Sequence, residues 1–285
     1  MTPSRREVMS ASAALAVRVG PLPLVPFGPH RVSRLIVGGN PVSGNSHVSA
    51  ELSREMRDYF TSANAKRLLS ACEQAGVNTW QSRGDRHILR LLNEYRLEGG
   101  RIQWIAQTAS ELADIPRNVR EIAAAGAIGI YHHGSQTDRF WLSGKIEQAR
   151  EILKAMRQAG VQVGLGTHLP EVVDYVESKG WDLDFYMTCV YNLSQGETFH
   201  DADRERMLKR VCQSPKQCLI FKVYGASRKC GSRREMQDAL RLVAQYAKPQ
   251  DCVVIGMFPK YKEQVRENQE LVRETLGGTA EREVT

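Results

Sequence analysis

"KIEQAREILKAMRQAGVQVGLGTH", residues 145–168, holds a whole structural unit in one line. Ile146, Ala149, Ile152, Leu153 and Met156 fall on one stripe at helical spacing, and the run stops at Gly160. "VQVGLG" (161–166) follows at once, short and apolar on both faces, as a strand buried in a parallel sheet must be. A helix that hands over to such a strand across one glycine is the repeating joint of an α/β fold.

The joint recurs in both directions. Short apolar runs stand at "RLIVGG" (34–39), "GVNTW" (76–80), "RIQWIAQ" (101–107) and "AIGIYHH" (127–133) before it. "LDFYMTC" (183–189), "CLIFKVYG" (218–225) and "CVVIGM" (252–257) come after it. Between them lie helical patterns such as "NAKRLLSACEQAG", with Leu68, Leu69 and Cys72 on one face, and "PEVVDYVESKG", with proline at the first helical position. "SRREMQDALRLVAQYAKP" and "KYKEQVRENQELVRETLGG" complete the series. Eight strand–helix units of about 30 residues predict a single-domain (β/α)8 TIM barrel over 31–285. An open doubly wound sheet is the competing architecture. Eight units suit closure better, and no Gly-x-Gly-x-x-Gly turn follows the first strand.

Composition narrows the function classes. The chain has 285 residues, 42% hydrophobic and 25% charged, which is globular rather than disordered or fibrous. No stretch reaches the roughly 20 apolar residues of a membrane span. The net charge of +7 suits an anionic ligand, but no basic run is interleaved with aromatics, so nucleic acid is not an expected partner. "SRREVMSASAALAV" sets Arg5-Arg6 before a small, apolar-leaning run and resembles a twin-arginine export signal. Arg18 interrupts that run, and no clean Ala-x-Ala cleavage site follows. Residues 1–30 therefore read as an export signal or as a basic tail of a protein that stays in the cytoplasm. Six cysteines show no Cys-x-x-Cys spacing, which argues against a local zinc ribbon or iron–sulfur cluster.

In a barrel the chemistry gathers where strands end and the following loops converge. The long segment after the first strand, "GGNPVSGNSHVSAELSREMRDYFTSAN", is a candidate lid. The second strand leads into Gln81, Arg83, Asp85 and Arg86, and the third ends near Gln107 and Thr108. The fourth ends on His132 and His133. Neighbouring strand residues face opposite ways, so only one of these enters the mouth. His133, beside Gly134, is the expected one. His168 ends the next strand, close enough for two imidazoles to share a proton, a substrate or a metal ion. Cys189, one strand further, would complete a His-His-Cys metal set. Lys222 interrupts an apolar strand. It is either half of a buried ion pair or a lysine that binds an anion, polarises a carbonyl or forms a Schiff base. The basic cluster Arg228–Arg234 stands on the seventh loop, a common phosphate position.

These stretches, in this order, resemble the aldo/keto reductases: "VSRLIVGGNP", "LLSACEQAGVNTW", the fourth-strand histidine, "AGVQVGLGTH", "DFYMTCVYN" and "VVIGMFPKYKEQVRENQELV". The resemblance runs from about residue 31 to 275 and implies a (β/α)8 fold with NADP across the mouth. It implies cofactor contacts at Thr167, Thr188 and Asn192 near the nicotinamide, and at Gly256, Lys260, Gln264 and Asn268 near the phosphate and adenine. The family's catalytic tyrosine, aspartate and lysine have no counterpart: "WQSRGDRH" stands where "FDTAxxYG" belongs, with Gln81 at the aspartate. The resemblance thus leads to an oxidoreductase acting on a small polar, sugar-like carbonyl compound, with His133, Lys222 and His168 as catalytic candidates. The alternatives are a redox-inactive, optionally metal-dependent lyase, isomerase or epimerase, and a non-catalytic ligand-binding barrel.

Overall fold

The computed structural model describes residues 22–192 and 201–277, with only the backbone for 201–203. The Arg5-Arg6 segment lies outside the described residues. Eight parallel strands close into a barrel in chain order: β3 (Leu35–Gly38), β4 (Thr79–Arg83), β5 (Gln103–Gln107), β6 (Gly129–His132), β7 (Gln162–Thr167), β8 (Phe185–Cys189), β9 (Gln217–Phe221) and β10 (Cys252–Gly256). β10 pairs with β3 to shut it. This is the (β/α)8 TIM barrel that the eight strand–helix units predict.

Alternation along each strand splits the core in two. Inward residues Ile36, Ile105, Tyr131, Phe185, Met187, Leu219 and Val254 fill the barrel. Outward residues such as Val37, Trp80, Trp104, Ile130, Leu165, Tyr186 and Ile220 bind the strands to the outer helices. Helix α2 (Ser62–Gln74) buries the predicted Leu68, Leu69 and Cys72 there. Each such aliphatic side chain contributes about 1.5–3 kcal/mol by leaving water.

Sequence reading did not anticipate the hairpin of β1 (Leu24–Phe27) and β2 (His30–Ser33), which straddles the boundary drawn at residue 30. It plugs the base of the barrel: Phe27 packs on Phe185 at 5.0 Å, and the Asn78 and Gln103 side chains donate to the Arg31 carbonyl. Gly28 turns it at φ 56°, where a Cβ would meet the Gln162 side chain at 2.3 Å.

Three local expectations need correction. The second barrel strand runs on to Arg83, so Gln81 and Arg83 belong to the sheet rather than the loop after it. The candidate lid is not all loop, because Ser49 caps a ten-residue helix, α1 (Ala50–Tyr59). Lys222 does not sit inside a buried strand: β9 ends at Phe221, and Lys222 begins a turn at φ 55°.

Candidate active site

The paired histidines diverge as strand alternation requires. His132 faces outward, 2% exposed, stacked on Phe140 at 5.6 Å with Nδ1 2.8 Å from Thr137 Oγ1. Burial, aided by neighbouring His133, lowers its pKa to about 3. It is a neutral core residue beneath α5 (Gly134–Leu142).

His133 caps the same helix. Its Nδ1 accepts a hydrogen bond from Ser135 N at 3.1 Å. A ring nitrogen that accepts carries no proton, so neutral His133 holds its proton on Nε2. Burial lowers its pKa to about 4, with the positive charge of Arg83 adding to the effect. The helix N-terminus acts in the same direction. His133 is thus a neutral imidazole presenting an N–H, a group suited to polarise a carbonyl oxygen.

His168 is held by a carboxylate that sequence reading missed. Asp138, on α5, accepts from His168 Nδ1 at 2.7 Å and from Thr167 Oγ1 at 2.6 Å. The His168 backbone N–H donates to the same carboxylate at 3.2 Å. The ring is fixed by Nδ1, which leaves Nε2 to accept or release a proton. Two glycines permit this approach. A Cβ on Gly134 would stand 3.2 Å from His168 Cε1, and one on Gly166 would stand 2.8 Å from the His132 carbonyl. A signal for Asp138 existed: it stands four residues after Gly134, at the helical spacing that faces the next strand.

Phe221 joins the remaining candidate to this pair. Its ring meets His168 edge-on at 5.5 Å, and Lys222 Nζ lies 5.8 Å from its centroid. Lys222, Ala226 and Ser227 all adopt positive φ, so the turn after β9 is strained. Buried Tyr131 OH accepts from Gln81 Nε2 at 2.8 Å. Burial raises this phenol well above its ordinary pKa, so it remains protonated. A hollow of about 50 Å³ adjoins His168, lined by Cys189, Asn192, Glu171 and Arg206. A larger one, about 480 Å³, lies between Tyr191, Arg204 and the start of α9 (Arg233–Tyr246), apart from the histidines.

Among the residues assigned to NADP by resemblance, Asn192 lines the hollow beside His168. Thr167 and Thr188 are buried and face outward, with Thr167 committed to Asp138. Asn268, on α10 (Gln264–Leu276), is 3% exposed and accepts from Tyr224 OH at 2.9 Å while donating to the Gln264 carbonyl. Gln264 Oε1 accepts from Phe258 N at 2.6 Å. Lys260 pairs with Glu55 at 2.7 Å, and Pro41 packs so closely on Gly256 that a Cβ there would stand 2.9 Å from its ring. Asn268 and Gln264 are thus engaged within the protein, whereas Lys260 is held by a partly exposed ion pair and Gly256 is itself exposed. Among the described residues, no group of three His, Cys, Asp or Glu side chains is placed to hold a metal ion, and Cys189 instead lies with its Sγ 4.0 Å from the His168 carbonyl. Of the basic cluster expected on the seventh loop, Arg233 and Arg234 instead begin α9, where Arg233 pairs with Glu270 and Glu274, and Arg234 with Asp238. No described helix is long and apolar enough to cross a membrane.

No family model and no curated protein matches the chain. Solved structures do match. A provisionally assigned aldo-keto reductase from Pseudomonas aeruginosa aligns with TM-score 0.61 over 89% of this chain and 94% of that one, at 17% identity. The holo form of an aldo-keto reductase from Bacillus halodurans gives 0.60 over 88% and 90%, at 13% identity. A truncated 3-deoxy-D-arabino-heptulosonate 7-phosphate synthase from Thermotoga maritima gives 0.53 over 89% and 91%, at 12% identity. At such identities the likeness is one of architecture, and architecture alone does not assign a reaction. The chain has an aldo-keto-reductase-like (β/α)8 barrel.

Proposed function

We propose that the protein is an enzyme acting on the carbonyl group of a small polar compound, oxidoreductase-like in keeping with its fold neighbours. One observation carries the reading: a neutral His133 bearing Nε2–H stands beside a His168 whose Nδ1 is anchored by Asp138. His133 donates to the carbonyl oxygen and stabilises the charge that builds there. His168 Nε2 moves a proton to or from the reacting carbon or oxygen, a role typically worth about 10²–10⁴-fold in rate. Asp138 orients that ring and balances the charge of its protonated form. Lys222, beyond Phe221, supplies positive charge on the same side. With Asn268 and Gln264 engaged internally, the reading rests on carbonyl polarisation and proton transfer by the histidines rather than on a hydride step.

The internal engagement of Asn268 and Gln264 favours a second reading within the same site. In that reading the histidine pair performs proton transfer alone, as in an isomerase or epimerase. A fluorescence titration with NADPH separates the two. Binding at low micromolar cofactor with reduction of D-glyceraldehyde supports the reductase. Absent binding, with deuterium entering dihydroxyacetone from heavy water, supports proton transfer. If H133N and H168A leave both activities unchanged, the carbonyl reading is wrong.

A further inference from the structure

We infer that Arg83 anchors a carboxylate carried by the substrate, and that Glu111 occupies this anchor until substrate displaces it. The inference rests on the carbonyl reading above and names the substrate class: a small compound bearing both a carbonyl and a carboxylate.

Arg83 closes β4, in register with Gln107 on β5. It alternates with Gln81, whose side chain reaches Tyr131 inside the barrel, so Arg83 emerges on the same face at the mouth. Its charge is among the causes that keep His133 unprotonated, which places it near the proposed carbonyl site. The guanidinium is only partly used. Its Nη2 pairs with the Glu111 carboxylate. Its Nε is buried without a hydrogen-bond partner. Asp85 Oδ2 stands 3.6 Å from that Nε, an ion-pair contact beyond hydrogen-bond reach, while its Oδ1 accepts from Ile88 N as the cap of α3 (Arg86–Leu97).

A planar fork with an idle donor suits bidentate capture of a carboxylate. Glu111 shows that the position accepts that group. It belongs to the turn between β5 and α4 (Ile115–Ala124), and its side chain is 49% exposed, so it can leave at small cost. An incoming carboxylate then replaces one negative charge by another and leaves the balance beside His133 unchanged. A doubly charged phosphate in place of Glu111 would add a charge beside Asp85, so the singly charged group is the better match.

Three probes test this by calorimetry on the full chain: 4-oxopentanoate with both groups, 2-pentanone with the carbonyl alone, and pentanoate with the carboxylate alone. 4-oxopentanoate should bind at least about tenfold tighter than 2-pentanone, the range expected for charge-assisted hydrogen bonds. In R83Q that preference should vanish while 2-pentanone binding stays. In E111Q both carboxylate probes should tighten by about two- to fivefold, the release of one exposed ion pair, with 2-pentanone unaffected. Should R83Q not fold, as judged by its melting temperature, E111Q decides alone. Equal binding of the three probes to wild type, or carboxylate binding untouched by both variants, overturns the inference. H133N separates it from the parent reading. H133N weakening 2-pentanone and 4-oxopentanoate but sparing pentanoate, with no effect of R83Q, sinks the anchor alone. Loss of carboxylate binding in R83Q with no effect of H133N sinks the carbonyl reading alone.

Discussion

Acidification should unfold this protein through its two adjacent histidines. Both are neutral in the folded chain, His132 with a pKa lowered to about 3 and His133 to about 4, each chiefly by burial. In the unfolded chain both titrate near 6.5. Between those values the unfolded state binds more protons than the folded one, so stability falls as pH falls below about 6.5. Above about pH 7 neither group contributes any pH dependence. At pH 5 each histidine should cost about 2 kcal/mol, roughly 4 kcal/mol for the pair. That is a large part of the roughly 5–15 kcal/mol a domain possesses. Urea unfolding followed by circular dichroism at pH 5, 6, 7 and 8 measures the slope. H132N and H133N should each remove about half of it, whatever their effect at pH 8. A slope unchanged in both variants would show that the rings titrate alike in the folded and unfolded chain, so that His133 gains its proton near pH 6.5 rather than near 4. The functional counterpart is a kcat/KM profile in which His133 produces no acidic limb until near pH 4.

Other perturbations follow from the same geometry. D138A strips the partner from His168 Nδ1 and Thr167 Oγ1 and should cost about 2–4 kcal/mol in urea unfolding, with D138N nearer 1 kcal/mol because its amide oxygen still accepts. D138N should nonetheless lose most activity, since an amide cannot balance a protonated imidazole. G134A should lower kcat more than stability, because its Cβ displaces the His168 ring by a few tenths of an ångström. K222G should raise stability by about 1 kcal/mol by relieving the positive φ, while weakening turnover if the ammonium assists the reaction.

The barrel was legible in the sequence because burial on both faces forces continuous apolar strands and glycine-stopped helices, both visible in a single chain. The hairpin was not. "LVPFGPHRVS" carries two prolines and a histidine, a pattern of loop composition, and it becomes sheet only by plugging the barrel base with Phe27. The different fates of His132 and His133 followed from strand alternation alone. Asp138 and Glu111 escaped because neither lies on a strand: one sits on a helix, the other in a turn, and only the closed barrel brings them to β7 and β4. Lys222 was misjudged as a strand residue because nothing in "CLIFKVYG" marks where the backbone turns left-handed.

Resemblance assigns positions by order along the chain, whereas a strand assigns them by parity. Thr167 shows how the two part. By order it belongs to the nicotinamide end of a cofactor. By parity it shares the outer face with Leu165 and cannot reach the mouth. Its hydroxyl instead donates to Asp138, the carboxylate that fixes His168. A position that resemblance gives to cofactor binding therefore supports a histidine at the mouth. Its replacement by valine should loosen His168 without touching any ligand, a change visible as a shifted pH profile rather than a shifted KM.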